Sequence, residues 1–163
     1  MPIDKSRLYE ELAQQLAALI EGERDLIANC ANMAAVIYHG LPDLNWAGFY
    51  FARGHKELVL GPFQGKPACV RIPWGEGVCG AAAARGSSIV VPEVHEFPGH
   101  IVCDPASQSE LVVPLLDAGG RVLAVLDLDS PVRGRFDEDD RAGCERLVAI
   151  FLADQLRWPE AFA

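Results

Sequence analysis

Three cysteines in the middle of the chain, Cys69, Cys79 and Cys103, lie ten and then twenty-four positions apart, each beside turn or strand-end residues. A thiol in such a place can attack an electrophile, exchange disulfides or bind a metal, because the thiolate is the reactive form in all three cases. No CxxC pair occurs, which removes a zinc knuckle and a thioredoxin-like redox motif. Cys30 and Cys144 fall within helical apolar patterns and read as small core hydrophobes. Glu110, Asp127 and Asp129 form a second set. Glu110 opens a strand, while Asp127 and Asp129 are two apart near a strand end and so share a face. Carboxylates interrupting the apolar run from Val122 to Leu128 are costly unless solvent or a ligand meets them. Asp129, beside Ser130 and Pro131, also reads as an ordinary turn aspartate. His95 and His100 belong to the stretch leading to Cys103, but their spacing matches no usual zinc pattern, and no metal is expected. Gly75, Gly77 and Gly80 lack the Lys and Ser/Thr of a phosphate cradle.

The elements that must position these residues follow from periodicity. Residues 4–20 read as a helix with Asp4 as N-cap and Leu8, Leu12, Leu16, Leu19 and Ile20 on one face. A second helix is expected over 24–39, with Leu26, Ile27, Cys30, Met33, Ala34 and Ile37 inward and Gly40 as its C-terminal cap. From Asn45 the period becomes two. Residues 46–51 and 57–60 suggest a hairpin, 68–72 a third strand, and the alanines 81–84 a short helix ended by Gly86. Residues 88–91 are a strand, and 93–108 a long irregular loop of the kind that carries function. Strands over 110–116 and 121–128 are joined by Asp117-Ala118-Gly119-Gly120, a hairpin signal. A closing helix spans 137–156. The order predicts one α+β domain over 1–163, divided into helices (1–40), sheet and loops (45–130) and a last helix (137–156). Its central antiparallel sheet has about six strands, with the N- and C-terminal helices packed on one face. The aromatic strand at 46–51 is core by default, and Tyr50 is assigned there; Trp74 reads as either a pocket lid or a cover for the sheet.

Composition closes off several classes. The 163 residues are 50% hydrophobic and 23% charged, which excludes a disordered chain. A net charge of -9 argues against nucleic acid as a partner. Apolar runs are shorter than a bilayer span, and the N-terminus has no apolar signal core, so a cytoplasmic protein without membrane contact is expected.

The motifs NWAGFY, GPFQGKPACVRI, GEGVCG, CDPASQSELVVPL and AVLDLDS resemble the GAF family, and more narrowly its free methionine-(R)-sulfoxide reductases. The resemblance covers essentially the whole chain and includes all three mid-chain cysteines. It implies reduction of free methionine sulfoxide to methionine through a sulfenic acid and an intramolecular disulfide. Cys103 would be the nucleophile, Cys69 its disulfide partner and Cys79 an auxiliary resolving thiol. Glu110, Asp127, Asp129 and Trp46 would bind the substrate, with a carboxyl supplying the proton. It implies no bound cofactor, thioredoxin as reductant and a homodimer. The residues themselves order the thiols differently: Cys79 stands at a helix N-terminus, whose dipole lowers a thiol pKa, whereas Asp104 would raise that of Cys103. Cys79 packed inertly under its helix is also consistent with the sequence. The rival function is a regulatory GAF module that binds a small ligand without catalysis.

Overall fold

The computed structural model describes residues 2–155, 158, 159 and 162. Helices α1 (Lys5–Ile20) and α2 (Leu26–Gly40) precede strands β1 (Trp46–Arg53), β2 (Glu57–Gly65) and β3 (Arg71–Pro73). Helix α3 (Gly77–Arg85), β4 (Ile89–Val91), a 3-10 turn over Val94–Glu96, β5 (Ser109–Leu116), β6 (Val122–Ser130) and helix α4 (Glu138–Asp154) follow. The six strands form one antiparallel sheet in the order β3-β2-β1-β6-β5-β4. The fold is the expected α+β arrangement. Leu156, the expected end of the last helix, lies outside the described residues.

Alternation along the central strands gives the sheet two apolar faces. Ala47, Phe49, Phe51, Leu111, Val113, Leu115, Ala124, Leu126 and Leu128 pack against α1, α2 and α4. Cys30 and Cys144 are buried in that layer, as expected. The opposite face carries Trp46, Tyr50, Val112 and Val125 and is covered by α3. The N- and C-terminal helices therefore do share one face, and α3 alone takes the other.

Several boundaries differ from expectation for local reasons. The β1–β2 hairpin runs on to Gly65 rather than stopping at Leu60, and β3 starts at Arg71, leaving Cys69 in the connection. Gly40 is the last residue of α2 rather than its cap, and a Cβ there would collide with Leu12 of α1. It is a point of close helix approach. Leu19 and Ile27 are exposed, and Tyr9 takes the inward position on α1 instead. Asp25 and Asp137 cap α2 and α4 through their carboxylates, and Asp137 with Asp140 forms a full capping box.

Asp140, fully buried, ties α1 to α4. It accepts hydrogen bonds from the Tyr9 hydroxyl (2.9 Å), Lys5 Nζ (2.7 Å), Arg135 Nη1 (3.2 Å) and the Asp137 amide (3.0 Å). Removing it leaves the nearly buried Arg135 without its carboxylate while Lys5 keeps Asp137 at 2.7 Å, and breaking a buried pair on one side costs several kcal/mol. Asp140→Ala should lose about 3 kcal/mol of unfolding free energy in urea titrations, and a loss near zero would mean that the network contributes nothing.

Candidate active site

The sheet register assembles the carboxylates. Asp129 of β6 stands opposite both Trp46 of β1 and Glu110 of β5, and Asp127 stands opposite Gly48 and Val112. Directly paired residues of an antiparallel sheet point to one face. Glu110, Asp127 and Asp129 therefore converge on the α3 side, as their spacing predicts. Gly48 is required beside them: any Cβ would run into Phe63 and the Trp46 ring. Trp46 is held between Tyr50 and Phe63, with ring centroids 5.8 and 5.2 Å away, and its indole N–H donates to the Lys66 carbonyl at 3.1 Å.

Above this floor lie α3 and the two cysteine segments. Gly77 begins α3 at φ 63°, which a side chain would strain, and its bare face receives Ile101 of the 93–108 loop. Cys69 and Cys103, 34 positions apart, form a disulfide with Cα atoms 5.5 Å apart. Cys69 is held through its carbonyl by the Tyr50 hydroxyl at 2.9 Å. The Cys103 loop is tied down by Asn45, whose Nδ2 donates to Asp104 Oδ2 (3.3 Å) and Ser107 Oγ (3.2 Å). Asp104 also caps its own turn by accepting the Ala106 amide at 2.9 Å. Trp46, Tyr50, Cys79, Cys103, Glu110, Asp127 and Asp129 all line one cavity of about 50 Å³, room for no more than a few waters.

Burial sets the charge state. Asp127 is 5% exposed, its carboxyl is pushed up to about 6 by burial, and hydrogen bonds from Glu110 and Cys79 limit the rise. Glu110 rises well above the usual carboxylate range through burial and then through the neighbouring Asp127 and Asp129. Asp129 rises too, from burial and from Asp127 and Asp104. Burial and mutual repulsion therefore favour the protonated form of both Glu110 and Asp129 beside Asp127. Asp127 Oδ1 has no partner, which leaves a buried acceptor aimed at a missing donor. Cys79 Sγ donates to Glu110 Oε1 at 3.8 Å. Its thiol is raised well above normal by burial first and by Asp127 and Glu110 next, so the expected acidification by the helix dipole is overturned.

Other expectations resolve as follows. Tyr50 is buried as assigned, yet it lines the cavity as well. Trp74 stacks on His55 at 5.0 Å and is not among the lining residues, so it covers the hairpin and forms no lid. His95 pairs with Glu93, while His100 lines the cavity and has its pKa lowered by burial. Neither histidine joins the one set of donors close enough to share a metal among the described residues, Cys79, Glu110 and Asp127, whose ligand atoms lie within 4.8 Å of one another. Asn45, Ser107 and Ile101 escaped the sequence reading. Asn45 stands inside a quoted motif, but nothing local signals that it clamps a loop almost sixty positions away.

A layered α/β sheet with its cavity under a short helix and an irregular loop defines the class, and the chain belongs to the GAF domain family, whose model matches residues 4–156. More particularly, it is homologous to the free methionine-R-sulfoxide reductase of Escherichia coli, 49% identical over 147 residues and covering 90% of this chain and 88% of that one. The enzyme of the same name from Saccharomyces cerevisiae is 38% identical over 91% of this chain and 86% of its own. The free methionine-R-sulfoxide reductase of Neisseria meningitidis, solved in complex with its substrate, superposes with a TM-score of 0.90 at 43% identity, covering 96% of this chain and 93% of that chain.

The raised Asp127 carboxyl carries a pH signature. A folded-state pKa above the unfolded value of about 3.9 means the native protein binds the extra proton, so stability is greatest below pH 4 from this group and falls as pH rises through 6. Asp127→Asn should flatten that decline in thermal unfolding between pH 4 and 7. A variant that kept the wild-type slope would place the titration elsewhere.

Proposed function

We propose that the chain reduces free L-methionine (R)-S-oxide to L-methionine, with Cys103 as nucleophile, Cys69 as the thiol that closes the disulfide and Cys79 as an auxiliary thiol. The carrying observation is the Cys69–Cys103 bond, set over a carboxylate cluster in a near-closed cavity. It is the bond a two-thiol reduction leaves behind. The homology to named reductases supports the same reading, and a ligand-sensing module would have no use for that bond.

The steps balance. The Cys103 thiolate attacks the sulfoxide sulfur, Glu110 protonates the oxygen, and methionine departs as Cys103 becomes a sulfenic acid. Cys69 then attacks the sulfenic sulfur, expelling water and forming the disulfide. Asp127 and Asp129 receive the substrate's ammonium. An arriving cation reverses the mutual repulsion that holds these carboxyls up, and it supplies the donor that Asp127 Oδ1 lacks. Trp46 walls the methyl group. A peptide-bound methionine presents a neutral amide in place of the ammonium, so the cluster selects the free amino acid. No cofactor is invoked; thioredoxin supplies the electrons, two copies pair through their N- and C-terminal helices, and the compartment is the cytoplasm. Among the described residues, no helix is long and apolar enough to cross a membrane.

The cysteines should separate by role. Cys103→Ser should release no methionine in a single turnover, because a hydroxyl is a far weaker nucleophile. Cys69→Ser should release one equivalent and then stall with thioredoxin. Cys30→Ser and Cys144→Ser should change stability alone. A Cys103→Ser protein that completed a turnover would move the nucleophile to Cys79.

The ammonium assignment is tested by a cycle. Asp127→Asn and N-acetylation of the substrate should each lower kcat/KM by roughly 2 to 4 kcal/mol in activation free energy. Together they should cost little more than either alone, since both delete one contact. Additive losses would assign Asp127 to proton delivery and leave the preference for free substrate to cavity shape.

A further inference from the structure

We propose that Val70 and Val102 form a rim on which a protein dithiol docks, and that Cys103 Sγ is the sulfur its thiolate attacks. The inference rests on the reductase reading only for the need to reopen the bond after each turnover. Large apolar side chains are few on this surface: among the described residues the exposed ones are Ile3, Leu19, Ile27, Val70, Val102 and Val132. Val70, 60% exposed, follows Cys69 directly, and Val102, 59% exposed, precedes Cys103 directly. Pro105 and Ala106, also exposed, follow Cys103 within three positions in the chain. Neither valine lines the cavity, so the substrate site does not explain them.

The charges near this surface point to a partner of definite character. The chain is acidic overall, net -9, yet the exposed charged residues closest in sequence to Cys69 are Lys66 and Arg71, the latter paired with Glu57. An apolar rim with the exposed Lys66 at its edge, Arg71 neutralised by Glu57 and Asp104 half-buried against Asn45, fits a protein whose reactive thiol sits in an apolar surface with an acidic group at its border. A small thiol needs no such rim.

The two sulfurs are not equivalent. Cys103 is exposed and lies in an irregular segment. Cys69 is half-buried, and the backbone on either side of it is fastened: Tyr50 donates to its carbonyl, and the Leu60 amide donates to the Val70 carbonyl at 2.9 Å. The partner thiolate forms a bond to Cys103 Sγ while the electron pair of the old bond passes to Cys69 Sγ, which takes a proton from water. The partner's second thiolate then attacks its own sulfur in the mixed disulfide. That releases the Cys103 thiolate, and the partner leaves oxidised by two electrons.

The test uses the intact oxidised protein without any sulfoxide, so that it reads the disulfide alone. Its reduction is followed by NADPH consumption with thioredoxin and thioredoxin reductase, and separately with dithiothreitol. The double variant Val70→Ser/Val102→Ser should slow the thioredoxin reaction about tenfold and leave the dithiothreitol reaction within about twofold of wild type. Trapping with a thioredoxin lacking its second cysteine, followed by acid quench and alkylation, should give thioredoxin joined to Cys103 with Cys69 alkylated. An unchanged thioredoxin rate, equal slowing of both reductants, failure of thioredoxin to reduce wild type, or a partner joined to Cys69 would each overturn the proposal. Inability of the reduced wild type to turn over free methionine sulfoxide would count against the reductase reading alone.

Discussion

Three carboxyl groups and a thiol share one buried spot on a β-sheet, and most of the site's architecture follows from keeping them there. Each unscreened charge in such a place costs several kcal/mol, so the cluster can exist only by holding protons or by meeting a cation. The register sets Glu110 and Trp46 on either side of Asp129, and Gly48 beside Asp127, so the facing strand positions supply no positive charge to neutralise them. The protein therefore stores an unsatisfied demand for positive charge at the floor of a small cavity. A free amino acid meets that demand, and a neutral side chain buried in a polypeptide does not.

Sustaining the demand requires stability from elsewhere, and the sheet's two faces divide the work. The face against α1, α2 and α4 is mainly apolar, with buried polar contacts in the Asp140 network and where Asn29 donates to Glu23 and Gln155. The face under α3 is shorter of cover and mixes aromatic rings with ionisable groups. Cys79 shows which force prevails there. A helix N-terminus favours an anion by about 0.3 to 1 kcal/mol, whereas burying a thiolate beside two carboxylates costs several times as much. Burial therefore holds the Cys79 thiol in its protonated form despite the helix terminus.

Much of the fold was legible because the chain's local signals agree with its tertiary fate. The period of two from Asn45, the apolar runs at 110–116 and 121–128, the Asp117–Gly120 turn and the Asp4 cap all mark elements that formed. The convergence of Asp127 and Asp129 followed from spacing alone. What spacing could not carry was anything decided by neighbours remote in sequence. Tyr9 turns into the α1 interface, where Asp140, 131 positions away, offers its hydroxyl a partner. Trp74 went to His55 rather than to the cavity because β3 pairs with the start of β2. Asn45 was invisible as a clamp for the same reason, and the acidity order of the thiols was misread because a dipole is local while burial is not.

The two sulfurs of the disulfide sit on backbones held in different ways. Cys69 is fixed to β1 and β2 by hydrogen bonds, from the Tyr50 hydroxyl to its own carbonyl and from the Leu60 amide to the Val70 carbonyl. Cys103 lies in an irregular segment that has no strand ladder over 101–103, with Ile101 resting on the bare face of Gly77. The far end of that segment is anchored through Asp104 and Ser107 to Asn45. The disulfide thus joins a segment fixed to the sheet with a loop whose anchor lies beyond Cys103, at the wall of the carboxylate cavity.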